Sequence, residues 1–172
     1  MDKTIRKKLS KSKDGFDLNP ILDFMEKSGI EYRDRTLKGP LGIATFYCVF
    51  LDISKLKHTF NNKMIAYVIL HETGHFKRIE KMGKEHVINM MSNTNFESFS
   101  DHIIQEEMTA DRYACHIFKT LTNEYLSREI TQQLNIKSNR DRYVNQTRGM
   151  FGKITNEQTY KQYLEQFVEE KK

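Results

Sequence analysis

The sequence predicts an α+β fold, mainly helical, with a small β-sheet placed early and two long helices packed against each other. Three observations carry this. Residues 41–53 form a run rich in β-branched and aromatic side chains, the mark of strand. Past residue 60, apolar positions recur with a helical period in two long segments. The chain has 172 residues, 38% of them hydrophobic, which is enough for one domain with a core of its own and too few for two.

The elements follow in order. Residues 1–14 hold Lys3, Arg6, Lys7, Lys8, Lys11 and Lys13 against Asp2 and Asp14, and read as a basic arm. Asn19-Pro20 opens a helix, with Asn as cap and Pro at the first helical position; Ile21, Leu22, Phe24 and Met25 are its apolar side and Gly29 closes it. Residues 30–35 alternate weakly, Gly39-Pro40 marks a turn, and 41–53 reads as strand, open to division into two. A helix starts at Asn61 or Asn62 and ends before Gly83. Residues 84–99 fit neither period. Ser98 or Ser100 can cap the second long helix, which reaches about residue 121. Further helices are expected over 123–134 and 156–168, the last with Tyr160, Tyr163, Leu164, Phe167 and Val168 on one face. The organisation predicted is a basic arm (1–14), a core (15–121) and a helical extension of the same domain (122–172).

Composition excludes several classes. The longest unbroken apolar stretch is residues 64–70, far short of the roughly 20 residues a membrane span needs. No apolar segment follows the basic start, so it does not read as a secretory signal. Cys48 and Cys115 lie outside any C-x-x-C pair, and a cytoplasmic protein with reduced thiols is expected. The net charge of +5 sits mostly in the arm, which carries +4 and leaves +1 for the rest. Nucleic acid is therefore not the expected partner, although the arm could dock on an acidic one.

The chemistry lies in the two long helices. The first contains His71-Glu72-Thr73-Gly74-His75, an H-E-x-x-H motif. Residues four apart share a helix face, so both imidazoles can reach one metal ion, with Glu72 one step round the turn. Two neutral His nitrogens and a carboxylate with one open position suit a single Zn²⁺ in a catalytic site. The residues before His71 are almost wholly apolar, which buries the motif helix.

The second helix places Glu107 and Asp111 on or beside its apolar stripe of Ile103, Ala110, Ala114, Ile117 and Leu121. Carboxylates facing a core are costly unless paired or bound to metal. Glu107 fits as third ligand and Asp111 as acceptor for the free ring N–H of a liganding histidine. Glu106 is the rival ligand, about 100° away on the more polar side; the alternative is that both acids sit on a solvated edge with Arg112 or Lys119. His58 and His86 read as exposed loop residues outside the site.

With these residues in place, H-E-x-G-H followed about thirty residues later by E-x-x-A-D resembles the gluzincin metallopeptidases. The order of a short helix ending in Gly-Ile, strands, the run VFLDIS, the motif helix and a Glu helix resembles the ImmA/IrrE-like peptidases over residues 18–121. The resemblance implies a zincin-like domain in which His71, His75 and Glu107 bind zinc, Glu72 is the general base and Asp111 holds a ligand. It implies hydrolysis of a protein or peptide substrate, such as a transcriptional repressor. This chain carries Asp111 where that family more often has Asn. Residues 41–52, lying beside the cleft, could pair with an extended substrate. Tyr113, His102, His116 and Arg112 are candidates for an oxyanion donor, and the sequence does not choose among them. The competing reading is a catalytically silent zinc protein acting in binding or assembly.

Overall fold

The computed structural model describes residues 1–10, 15–126, 144–145 and 147–169. Among these, helices dominate and one three-stranded sheet lies early in the chain, an α+β arrangement. The helices are α1 (Lys3–Leu9), α2 (Asn19–Lys27), α3 (Ile53–Thr59), α4 (Asn62–Met82), α5 (Lys84–Ser92), α6 (Phe96–Thr122) and α7 (Glu157–Glu165). The strands are β1 (Tyr32–Asp34), β2 (Gly42–Ala44) and β3 (Val49–Leu51), in the order β1-β3-β2. β1 runs parallel to β3, and β2 pairs antiparallel with it, Gly42 opposite Leu51 and Ala44 opposite Val49. β2 is thus an edge of the sheet.

Helix α4 is the axis of the molecule. Ile65, Ala66, Tyr67, Val68, Ile69 and Leu70 are all buried, because the sheet packs on one side of this segment and α6 on another. The Asn61 side chain accepts from the Met64 amide at its start, and Gly83, at φ 83°, ends it. Gly74 lets the two long helices approach: a Cβ there would lie 3.0 Å from Ala110 Cα and 3.2 Å from the Ala110 carbonyl oxygen. Across that contact Ala114 and Phe118 of α6 are buried in the main core.

Several expectations need correction. The basic arm is no free tail over residues 3–9. Those residues form α1, whose Ile5 and Leu9 are buried in the main core. Two of its charges are partnered within the chain, Arg6 with Asp23 and Glu26, and Lys8 with Asp34. Residues 11–14 lie outside the description. Helix α2 has Asn19 inside it, not as its cap; the Asn19 amide instead takes the Asp17 side chain as acceptor.

The strand run divides into β2 and β3, and Ile53 already belongs to α3, which pattern alone did not announce. Asp52 explains the break: its carboxylate accepts from the Lys55 amide, capping α3, and from the Leu37 amide. His58 and His86 are exposed, as expected, but stand on α3 and α5 and not on loops. Helix α6 begins at Phe96, capped by Asn95 and not by Ser98 or Ser100; Ser100 is buried against Thr147. Asn123 closes α6 in the left-handed conformation, so residues 123–126 are not helical; residues 127–134 lie outside the description. The last helix stops at Glu165, and Val168 instead bridges Leu37.

Candidate metal centre

His71 and His75 stand one turn apart on α4, as the i, i+4 spacing requires. Their Nε2 atoms lie 3.1 Å from each other. Helix α6 brings Glu107 across, with Oε2 3.3 Å from His71 Nε2 and Oε1 3.4 Å from His75 Nε2. Two atoms bound tetrahedrally to one ion at about 2.0–2.2 Å stand roughly 3.3–3.6 Å apart. The observed spacings are close to this, so two imidazole nitrogens and a carboxylate fit a tetrahedral cation with little movement. Among the described residues these three form the group of His, Cys, Asp and Glu side chains able to hold a metal ion.

Asp111 lies one turn beyond Glu107. Its Oδ1 is 2.7 Å from His71 Nδ1 and also accepts from the Tyr67 hydroxyl at 2.6 Å. A carboxylate on Nδ1 favours the tautomer whose Nε2 lone pair faces His75 and Glu107. Glu106 points elsewhere. It receives Arg78 Nε at 3.1 Å and lies 3.8 Å from His102, so the rival ligand is committed to the flank of the site. Arg112 is exposed, and Lys119 is bonded to Asn123. Neither takes up the two acids.

Glu72 faces the sheet. The Thr45 amide donates to the Cys48 carbonyl and the Asp52 amide to that of Leu41, so these positions of the β2 segment point at β3. By alternation Gly42 and Ala44 present their backbone groups at the opposite, free edge. The Ala44 amide there donates to Glu72 Oε2 at 3.0 Å. Gly42 makes room for the same side chain, since a Cβ at that position would lie 2.6 Å from Glu72 Cγ.

Electrostatics separates the acids. Burial raises the pKa of Glu72, and His71, His75 and the Ala44 amide offset it only in part. Burial works against the charge of Glu107 as well, yet His71 and His75 hold it well below the usual carboxylate range. For His71 burial disfavours the charge, but Asp111 and Glu107 outweigh it and push the pKa up to about 10 in the metal-free chain. Glu107 is thus ready to ligate, and Glu72 has a raised proton affinity beside it.

The suggested oxyanion donors are not drawn together. Tyr113 packs against Gly74, within electrostatic reach of Tyr32. His102 belongs with Glu106, and His116 is exposed. Among the described residues no hydrogen bond or ion pair joins Tyr113, His102 or His116 to His71, His75 or Glu107. Sequence reasoning missed three members of the site. Tyr67 falls within the apolar run before the motif, yet it lies four positions before His71 on the same face. Gly42 and Ala44 belong to the strand run, and which edge faces Glu72 is set by long-range pairing. No helix among the described residues is long and apolar enough to cross a membrane. No protein-family model matches the chain, and neither curated proteins nor solved structures provide a match.

Proposed function

We propose that this chain is a zinc-dependent metallopeptidase of gluzincin type, with a zincin-like fold, that hydrolyses peptide bonds in a protein substrate. The observation that carries the reading is a converging His71, His75 and Glu107 with a second, half-buried carboxylate, Glu72, fixed beside them. A purely structural site has no use for that fourth group. The H-E-x-G-H and E-x-x-A-D motifs and their order support a resemblance to the ImmA/IrrE-like peptidases, and with it a selective substrate such as a transcriptional repressor.

The residues divide the work. His71, His75 and Glu107 would hold the ion, and Asp111 orients His71. Zinc in such a set supplies Lewis acidity, making water more acidic and polarising a carbonyl. Glu72 accepts the proton of the attacking water and returns it to the leaving amine; its raised pKa suits both transfers near neutral pH. Apart from the Ala44 amide, which Glu72 engages, the edge of β2 that pairs with no strand would offer an extended peptide backbone hydrogen bonds and hold it in line past Glu72.

The test is Glu72→Gln, which keeps the shape and removes the base. Zinc content and cleavage of an unstructured peptide library are measured together. The parent should bind one zinc per chain and cleave; the variant should keep the zinc and lose roughly 10²–10⁴-fold in kcat. A variant that cleaves at the parental rate overturns the mechanism. A zinc-loaded parent that cleaves nothing favours the assembly reading.

A further inference from the structure

The Tyr67 hydroxyl is the part of this site that no motif contains. Tyr67, His71 and His75 lie at successive i, i+4 positions of α4 and form one stripe. Tyr67 is buried, and its hydroxyl reaches across to α6 to donate to Asp111 Oδ1 at 2.6 Å. The same oxygen atom of Asp111 lies 2.7 Å from His71 Nδ1. The tyrosine oxygen is itself 3.4 Å from Nδ1, too far for a strong bond of its own. The Tyr67 and His71 rings lie 5.6 Å apart, so the phenol also borders one side of the imidazole.

This geometry constrains the carboxylate. Asp111 hangs from a different helix and, held by His71 alone, could turn about its side-chain torsions toward solvent. A second donor on the same oxygen, fixed on the helix that carries His71, leaves that oxygen one position. Nδ1–H then stays bonded to Asp111, and Nε2 is the ring nitrogen left to face the metal. A hydrogen bond to an ionised acceptor is about twice as strong as a neutral one, so a single hydroxyl suffices.

We infer that Tyr67 is a positioning residue which acts through Asp111 to hold His71 ready for the metal and so sets the zinc affinity of the site. The inference rests on the metal-site reading above and adds to it a residue outside the ligand motif. Tyr67→Phe removes one oxygen atom and keeps the ring, so packing is preserved.

The experiment is zinc affinity by competition with a chromophoric chelator, for the parent, Tyr67→Phe, Asp111→Ala and the double variant. The thermal midpoint of each metal-free protein is recorded beside it. Partners of metal-bound histidines affect affinity about 10- to 100-fold. Tyr67→Phe should lose about 10-fold in affinity with Asp111 present. In the Asp111→Ala background the same change should alter affinity by no more than about twofold, because the group it acts through is gone. An equal loss in both backgrounds, or an unchanged affinity for Tyr67→Phe in a parent that binds zinc, overturns the positioning role alone. A parent without zinc affinity overturns the metal site itself and this inference with it.

Discussion

Glu72 shows how little space a side chain at this site is given. Its carboxylate is anchored by the Ala44 amide, and its Cγ occupies the place a side chain at residue 42 would need. Glycine at 42 is therefore a steric requirement of the Glu72 side chain, and its backbone conformation needs no special φ. In Gly42→Ala the new methyl, 2.6 Å from Cγ, must displace Glu72 or the strand. Small misplacements of a catalytic group cost up to about 100-fold. Steady-state kinetics should show kcat reduced about 10- to 100-fold while zinc affinity stays at the parental value, since the atoms nearest the new methyl all belong to Glu72. Loss of zinc together with activity would mean that the strand, and not Glu72, had moved.

Between elements, the decisive contact is α4 against α6. Three of the residues in question come from one helix and two from the other, so the helix separation sets the ligand distances. Gly74 lies between His71 and His75 and faces Ala110, which lies between Glu107 and Asp111. The pairing of small residues at that level lets the backbones close to where His71, His75 and Glu107 converge. Gly74→Ala gains about 1 kcal/mol of helix propensity. It also places a methyl 3.0 Å from Ala110 Cα, against backbone that cannot rotate aside. Overpacking of this kind costs about 1–3 kcal/mol. Urea titration should find the variant no more stable than the parent. Zinc affinity should fall at least about 10-fold as Glu107 is pushed back; an unchanged affinity would show that the helices repack without moving their ligands.

Across the whole molecule, metal-free stability should record the charges gathered at this one place. His71 is raised from 6.5 to about 10 in the fold. The folded chain thus holds a proton that the unfolded chain releases. The resulting stabilisation is complete below pH 6.5 and is lost as pH rises through about 10. Glu107 works in the other direction: lowered from 4.5, it stabilises above that value, and its contribution is lost as pH falls below it. Protein stripped of metal by a chelator should therefore be most stable, as far as this site contributes, between pH 4.5 and 6.5. Denaturation midpoints should fall by the equivalent of on the order of 2 kcal/mol by pH 9. With zinc bound the alkaline slope should vanish, because the metal takes the place of the proton. A flat profile for the metal-free protein would mean that His71 is neutral when folded. The same whole-molecule view accounts for the N-terminus. Lys3, Arg6, Lys7 and Lys8 surround the two buried residues, Ile5 and Leu9, that tie α1 to the core, and mask them in the sequence.

The local pattern of the sequence was enough for the elements that rest on nearest neighbours. The apolar run before His71, the cap at Asn61 and the stop at Gly83 define α4 without reference to anything distant. The i, i+4 geometry of His71 and His75 follows from the helix alone. Glu107 and Asp111 were legible because a carboxylate on an apolar stripe needs a partner. What no local pattern carries is contact between segments far apart in the chain. That Tyr67 meets Asp111, that Gly42 yields to Glu72, that Glu106 turns to Arg78 and that a basic segment packs as α1 all depend on which faces meet after folding. Periodicity gives each helix its faces; only packing, which depends on the shape and volume of every neighbour at once, decides what each face touches.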